Sequence, residues 1–151
     1  MDPHGRALRR GRVSEPSRIY LVTTVTRDRR PVFSDLALGR IVVRCLRDME
    51  RSGLAETLCF VVMPDHLHWL LTLGERKPLS RAVQILKNLS ARRLNALRGE
   101  SGPVWQAGFH DHALRAEEDV VAVARYVVAN PVRAGLVQRV GEYALWDARW
   151  L

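Results

Sequence analysis

The chain has 151 residues, of which 47% are apolar and 26% charged, and 24 basic against 16 acidic residues give it a net charge of +8. These values fit one globular domain and exclude collagen-like, wholly disordered and coiled-coil proteins. The longest apolar run, residues 58–63, is too short to cross a bilayer, so we expect no membrane partner. Cys45 and Cys59 lie among apolar neighbours, which indicates free thiols in a reducing, cytoplasmic compartment.

The first half of the chain predicts an arm, a strand, a helix and a strand pair. Residues 1–17 are rich in Arg, Gly, Ser and Pro without periodicity, which is typical of a flexible basic arm, and residues 18–151 are expected to form the single domain. A β-branched run at residues 19–26 predicts a strand, and apolar residues at helical spacing predict a helix over residues 35–51. The runs ETLCFVVM and HLHWLLTL, with a Pro-Asp breaker between them, predict a hairpin.

The second half predicts two further helices around short strands. Residues 80–97 form an amphipathic helix, and residues 104–115 predict one or two short strands in which Trp105 helps to close the core. A last helix spans residues 117–130 and ends before Pro131. The order β, α, β, β, α, β, α predicts an α+β domain with one mainly antiparallel sheet packed by helices.

Basic residues cluster in two segments. Residues 1–30 hold eight Lys or Arg against three acidic residues, and residues 75–100 hold seven against two. Such clusters on a net positive domain are typical of a protein that binds nucleic acid, although a solvated surface is the alternative for any one side chain. The candidate contacts to nucleic-acid phosphate are Arg81, Lys87, Arg92 and Arg98, together with Arg9, Arg10 and Arg12 of the arm.

Two histidines lie two residues apart in the second strand of the predicted hairpin. On a strand this spacing places His66 and His68 on one face, with Leu67, Trp69 and Leu71 on the other. Two imidazoles that converge on one point indicate a divalent metal ion, and hydrogen-bonded structural histidines are the alternative. A second such pair, His110 and His112, lowers the specificity of either pair taken alone.

A tyrosine lies off the apolar stripe of the last helix. Around the helix axis, Tyr126 points well away from the centre of the valine stripe, so it is not placed as a core residue. Asn130 follows it by four residues and shares its face if the helix continues that far, which Pro131 disfavours. A surface tyrosine with a solvated hydroxyl is the alternative.

Three segments in order, VVMPDHLHWLL, WQAGFHDHALR and ARYVVANPVRAGLV, resemble the REP-associated tyrosine transposases, a branch of the single-tyrosine HUH nuclease and transposase superfamily. Only the first 17 or so residues lie outside this similarity. The resemblance implies a ferredoxin-like, RRM-like fold with the tyrosine helix across the sheet. It also implies that Tyr126 is the nucleophile and that His66, His68 and Asn130 hold Mg²⁺ or Mn²⁺.

The same resemblance implies an activity and a partner. The chain is expected to be a metal-dependent endonuclease and strand transferase that cuts single-stranded DNA beside hairpins of repetitive extragenic palindromes (REP), through a 5′-phosphotyrosine intermediate. Such an enzyme is expected in the cytoplasm, at the nucleoid, and the choice between monomer and homodimer stays open. Two alternatives remain: an RRM-like binder of structured single strands without chemistry, and a phosphodiesterase that activates water.

Overall fold

The computed structural model describes residues 14–116 and 118–150, so Arg9, Arg10 and Arg12 lie outside the described residues. The strands are β1 (Ile19–Val25), β2 (Ala55–Met63), β3 (His66–Leu73), β4 (His110–Ala113) and β5 (Trp146–Ala148). The helices are α1 (Leu36–Arg51), α2 (Leu79–Arg98), α3 (Val120–Val128) and the single turn α4 (Asn130–Arg133). Short 3-10 turns lie at Arg27–Arg29, Val32–Ser34 and Val140–Glu142.

The five strands form one sheet in the order β4-β1-β3-β2-β5, and every neighbouring pair is antiparallel. β1, α1 and β2 form one β-α-β unit, and β3, α2 and β4 form a second. Each unit inserts one of its strands between the two strands of the other, which is the ferredoxin-like arrangement. The predicted α+β fold is therefore confirmed.

The sheet separates two apolar cores, because successive residues of a strand point to opposite faces. α1 and α2 cover one face, where Val22, Trp69 and Leu86 are fully buried. α3 covers part of the other face, where Leu70 and Val127 belong to a smaller core. α1 and α2 thus lie on the side of the sheet opposite to α3, the helix that contains Tyr126.

The last helix is shorter than predicted and is followed by a separate turn. α3 runs from Val120 to Val128, and α4 begins at Asn130. The physical reason is Pro131, which has no N–H to donate and whose ring clashes with a preceding helical turn. The prediction of one continuous helix over residues 117–130 was therefore wrong at its C-terminal end, and it was also wrong at its start, because the N-cap is Asp119 and the helix begins at Val120.

Two short strands were harder to predict. Between residues 104 and 115 only β4 is a strand, and Trp105 makes an isolated bridge to Thr26. Trp105 is buried and donates its Nε1–H to Ser90 Oγ, which confirms its predicted place in the core. β5 was not predicted, because three residues carry too little periodicity to indicate a strand.

The first described residues of the predicted arm contact the domain. Ser14 Oγ accepts from the backbone N–H of Leu79, and the backbone N–H of Ser17 donates to the carbonyl of Leu73. The boundary at residue 17 stays a prediction. Within the described residues, no helix has both the length and the apolar character needed to cross a membrane.

Candidate active site

The two histidines of β3 lie on the face of the sheet that α3 covers. Leu67 and Trp69 point into the larger core and are fully buried, whereas Leu70, on the same side as the histidines, packs in the core of α3. The predicted alternation along HLHWLL is therefore confirmed. The Nε2 atoms of His66 and His68 lie 3.1 Å apart, with the two rings nearly perpendicular at 87°.

The other ring nitrogen of each histidine already has a partner. His66 Nδ1 lies 2.7 Å from Asp65 Oδ1, and Arg29 holds the second oxygen of that carboxylate at 3.1 Å. His68 Nδ1 lies 2.9 Å from Thr23 Oγ1 on the neighbouring strand β1. These bonds orient both rings and leave both Nε2 atoms directed at the space between them, as in histidines that bind a metal.

Burial and charge act together on the ionisation of this cluster. Burial and, to a smaller extent, the positive charges of His66 and Arg133 lower the pKa of His68 to about 4. Burial alone raises the pKa of Asp65, but hydrogen bonds with His66 and Arg29 outweigh it and lower that pKa. At neutral pH the site therefore holds the Asp65 carboxylate and a neutral His68.

The donor set fits a divalent cation. Two nitrogen atoms 3.1 Å apart need a proton or a cation between them, and two ligands about 2.1 Å from one ion at a right angle would lie about 3.0 Å apart. Among the described residues, no group of three or more His, Cys, Asp or Glu side chains is arranged so that all could hold one metal ion. The third ligand that the family resemblance implies, Asn130, belongs to none of these four residue types.

Asn130 keeps its oxygen available. Its Nδ2 donates to the carbonyl of Val127 at 2.7 Å, so this side chain bridges the last turn of α3 and the start of α4. Oδ1 has no hydrogen-bond partner among the described residues. An amide oxygen is an acceptable ligand for Mg²⁺ or Mn²⁺, and the role of Asn130 as a ligand stays a prediction.

Tyr126 lies on the exposed side of α3. The helix begins at the N-cap Asp119, which accepts from two backbone N–H groups, and it buries Ala124 and Val127 against the sheet. Tyr126 is 65% exposed, outside the core as its spacing predicted. The guanidinium carbon of Arg133 lies 3.7 Å from the centroid of its ring.

Tyr126 is the tyrosine with an uncommitted hydroxyl. The chain has three tyrosines. The hydroxyl of Tyr20 accepts from the backbone N–H of Glu15, and that of Tyr143 donates to the carbonyl of Val62. The hydroxyl of Tyr126 makes no hydrogen bond with any described residue, so it is the phenol that is free to react.

The second histidine pair shares the face of the first. In the antiparallel ladders, Thr23 pairs with His68 on one side and with His110 on the other, so the three side chains form one row across the sheet. His112 Nε2 lies 3.0 Å from a carboxylate oxygen of Glu118, directly before α3. His112 thus ties β4 to the start of the tyrosine helix.

The candidate phosphate contacts on α2 do not lie with the histidines and Tyr126. α2 packs on the opposite face of the sheet, where Arg81 and Arg92 line an open groove of about 600 Å³. Lys87 Nζ donates to the carbonyls of Gln106 and Gly108, and Arg98 is held by Asn95 and Glu100. Arg81 and Arg92 are therefore the better placed of the four for an added strand.

Three residues of this site were not predicted. Asp65 directly precedes the first histidine, and Arg133 follows Tyr126 by seven residues, so both signals were present in the sequence. Seven residues are two helical turns, which brings side chains back to one face. Thr23 is distant in sequence from His68, and only the register of β1 against β3 brings the two together.

Comparison with known proteins places this geometry in a family. A family model described as IS200-like transposase matches residues 16–130. An Escherichia coli K12 protein named REP-associated tyrosine transposase is 31% identical over 97 residues, which cover 63% of this chain and 55% of that protein. A Haemophilus influenzae protein, provisionally given the same name, is 29% identical over 99 residues, which cover 58% and 56%.

The chain spans about half the length of these curated relatives. A solved structure of a REP-associated tyrosine transposase bound to a REP hairpin superposes with a TM-score of 0.73 at 24% identity, covering 89% of this chain and 79% of that one. This likeness shows the same fold. Because the family model spans most of the chain and includes both histidines of β3, Tyr126 and Asn130, the chain belongs to the IS200-like transposase family.

Proposed function

We propose that the chain is a metal-dependent endonuclease and strand transferase for single-stranded DNA that acts beside REP-like hairpins through Tyr126. The observation that carries the proposal is the pair of histidine Nε2 atoms, whose rings are held by Asp65 and Thr23. They lie on the face of the sheet that α3 covers, and α3 carries the exposed Tyr126, whose hydroxyl has no hydrogen-bond partner among the described residues. The hairpin as target is supported by the names of the two curated relatives and by the hairpin-bound structure of the same fold.

Tyr126 is the proposed nucleophile. A free phenol has a pKa near 10, so the site has to assist the loss of its proton during attack. His66 and His68 through Nε2, and Asn130 through Oδ1, would hold Mg²⁺ or Mn²⁺, which would supply a Lewis acid for the scissile phosphodiester. Asp65 and Thr23 keep the two imidazoles oriented for that role.

Cleavage and joining are the same exchange in opposite directions. The Tyr126 oxygen forms a bond to phosphorus as the bond to the 3′ oxygen breaks; the phenol gives up its proton and the departing oxygen takes one up. The product is still a phosphodiester, now between Tyr126 and the 5′ end. A free 3′ hydroxyl can attack it and rejoin DNA, so no nucleotide cofactor is required.

The basic residues of α2 suggest where the rest of the DNA lies. Arg81 and Arg92 are on the sheet face opposite to Tyr126, so a strand that reaches both has to pass around an edge of the sheet. We propose that they bind phosphates away from the cleavage point, where they contribute affinity without base specificity. Lys87 and Arg98 support the same surface by fixing the loop after α2.

A gel assay for the covalent adduct tests the proposal. Purified protein is mixed with single-stranded DNA that carries palindromes from around its own gene, with and without Mn²⁺, and run under denaturing conditions. We expect a metal-dependent protein-DNA band that Tyr126→Phe abolishes. The matched control is Tyr143→Phe, because Tyr143 hydrogen-bonds within the fold and should leave the band in place.

Other outcomes identify the alternatives. Cleavage that persists in Tyr126→Phe but is lost in His68→Gln indicates a phosphodiesterase that activates water. Binding of the hairpin without cleavage, in every cognate strand and metal, indicates an RRM-like binder. Either result contradicts the proposed tyrosine chemistry.

A further inference from the structure

Arg133 is a charged residue of the site that the proposed mechanism does not yet use. It is the last residue of α4, it is exposed, and its guanidinium lies 3.7 Å from the centre of the Tyr126 ring. No carboxylate of the described residues pairs with it. A positive charge thus lies beside the proposed nucleophile without an anionic partner.

The backbone fixes this position. Pro131, the second residue of α4, is buried, and the N–H groups of Val132 and Arg133 both donate to the carbonyl of Ala129. The side chain of Asn130 donates back to Val127 and so joins α4 to α3. These hydrogen bonds hold the backbone of the turn from which the Arg133 side chain reaches the Tyr126 ring.

The guanidinium of Arg133 lies against the ring of Tyr126, so a phosphodiester that the phenol oxygen attacks would be next to this positive charge.

We infer that Arg133 binds the phosphodiester that Tyr126 attacks and holds the phenol ring against it. The inference rests on the proposed function. A planar guanidinium can stack one face on an aromatic ring while its N–H groups donate, in its own plane, to two phosphate oxygens. Arg133 keeps its proton throughout: the oxygen of Tyr126 bonds to phosphorus, the 3′ oxygen leaves with a proton, and the guanidinium stabilises the charge on the non-bridging oxygens.

Substitution of Arg133 tests the inference. In Arg133→Ala we expect adduct formation to slow by about 100-fold, the scale seen when one preorganised donor to a developing charge is removed. Affinity for the hairpin should change little, because many phosphate contacts contribute to it. Added methylguanidinium should restore part of the rate in Arg133→Ala. The rate of Arg133→Lys should lie between those of the wild type and Arg133→Ala, because lysine keeps the charge but lacks the planar guanidinium group.

The matched control is Arg125→Ala. Arg125 is an exposed arginine of α3 and the residue next to Tyr126. Its loss removes the same charge from the same surface, and we expect adduct formation to stay within about twofold. An equal loss of rate in Arg125→Ala and Arg133→Ala would mean that only net charge matters, which overturns the inference.

A binding measurement without chemistry provides a second readout. In a Tyr126→Phe background with a chelator present, a hairpin with its flanking single strand is compared with the hairpin alone. The extra affinity contributed by the flank should fall in Arg133→Ala and not in Arg125→Ala. An unchanged difference contradicts the inference.

The results separate this inference from the proposed function. A wild-type protein that forms no adduct defeats the proposed function, whereas a normal wild-type adduct with a normal Arg133→Ala rate defeats only the role of Arg133. If Arg133→Ala unfolds at the assay temperature, Arg133→Lys decides: a rate at least about 10-fold lower supports the inference, and an unchanged rate overturns it.

Discussion

The bond between Asp65 and His66 makes a quantitative prediction about metal binding. The two atoms lie 2.7 Å apart, and the side chains are only 26% and 19% exposed, so this is a partly buried, charge-assisted hydrogen bond. Loss of such an outer partner typically weakens metal binding 10- to 100-fold, about 1.4 to 2.7 kcal/mol. We expect this loss in Asp65→Ala, and a smaller one in Asp65→Asn, where an uncharged acceptor oxygen remains.

Titration calorimetry of DNA-free protein with Mn²⁺ measures the effect. Arg29→Gln is the control, because Arg29 contacts the same carboxylate but its side chain is 65% exposed, so we expect a change of about twofold. Unchanged Mn²⁺ affinity in Asp65→Ala would refute the idea that this carboxylate sets the orientation of His66. A wild-type protein that binds no Mn²⁺ would refute the metal site itself.

Three further predictions concern stability. In metal-free protein, the unfolded imidazole of His68 takes up a proton below pH 6.5 while the folded one, with a pKa of about 4, does not; the free energy of unfolding should therefore fall by about 3 kcal/mol between these pH values, and His68→Asn should lack this fall in urea titrations. Ser90→Ala leaves the buried Nε1–H of Trp105 without its acceptor and should cost about 1–3 kcal/mol in urea denaturation; a cost below about 0.5 kcal/mol would contradict the assignment. Gly74→Ala places a methyl group against the backbone before β2 and should lower the free energy of unfolding by about 1–3 kcal/mol, which is seen as a lower melting temperature. Gly141→Ala, with open space around it, should leave the melting temperature unchanged.

The histidine site shows which features of a site the local sequence pattern predicts. The alternation in HLHWLL predicts the face of both histidines, because side-chain direction in a strand depends only on its period of two. The partners of those histidines have different origins. Asp65 is adjacent in sequence, whereas Thr23 reaches His68 only through the register of β1 on β3, which the whole sheet determines.

The surroundings of Tyr126 show what the local sequence pattern does not predict. Spacing predicts that Tyr126 lies outside the core, and Pro131 predicts that the helix ends nearby. The angle at which the chain continues after Ala129 depends on how Pro131 packs, and that packing brings Arg133 onto the phenol ring. The seven-residue spacing would place the two side chains on one face only of a continuous helix; because the helix is interrupted at Ala129, the contact depends on tertiary packing.

The sequence by itself determined the element types, the apolar faces, the basic segments and the residue types of the candidate site, since these depend on periodicity and on chemistry local in the chain. The tertiary structure decided which surfaces meet. α2 packs on the face opposite to α3, so Arg81 and Arg92 lie across the sheet from Tyr126 although all three are exposed on helices. Helical periodicity selects the buried side of a helix, but only the crossover connections of the sheet determine the face against which that side is buried.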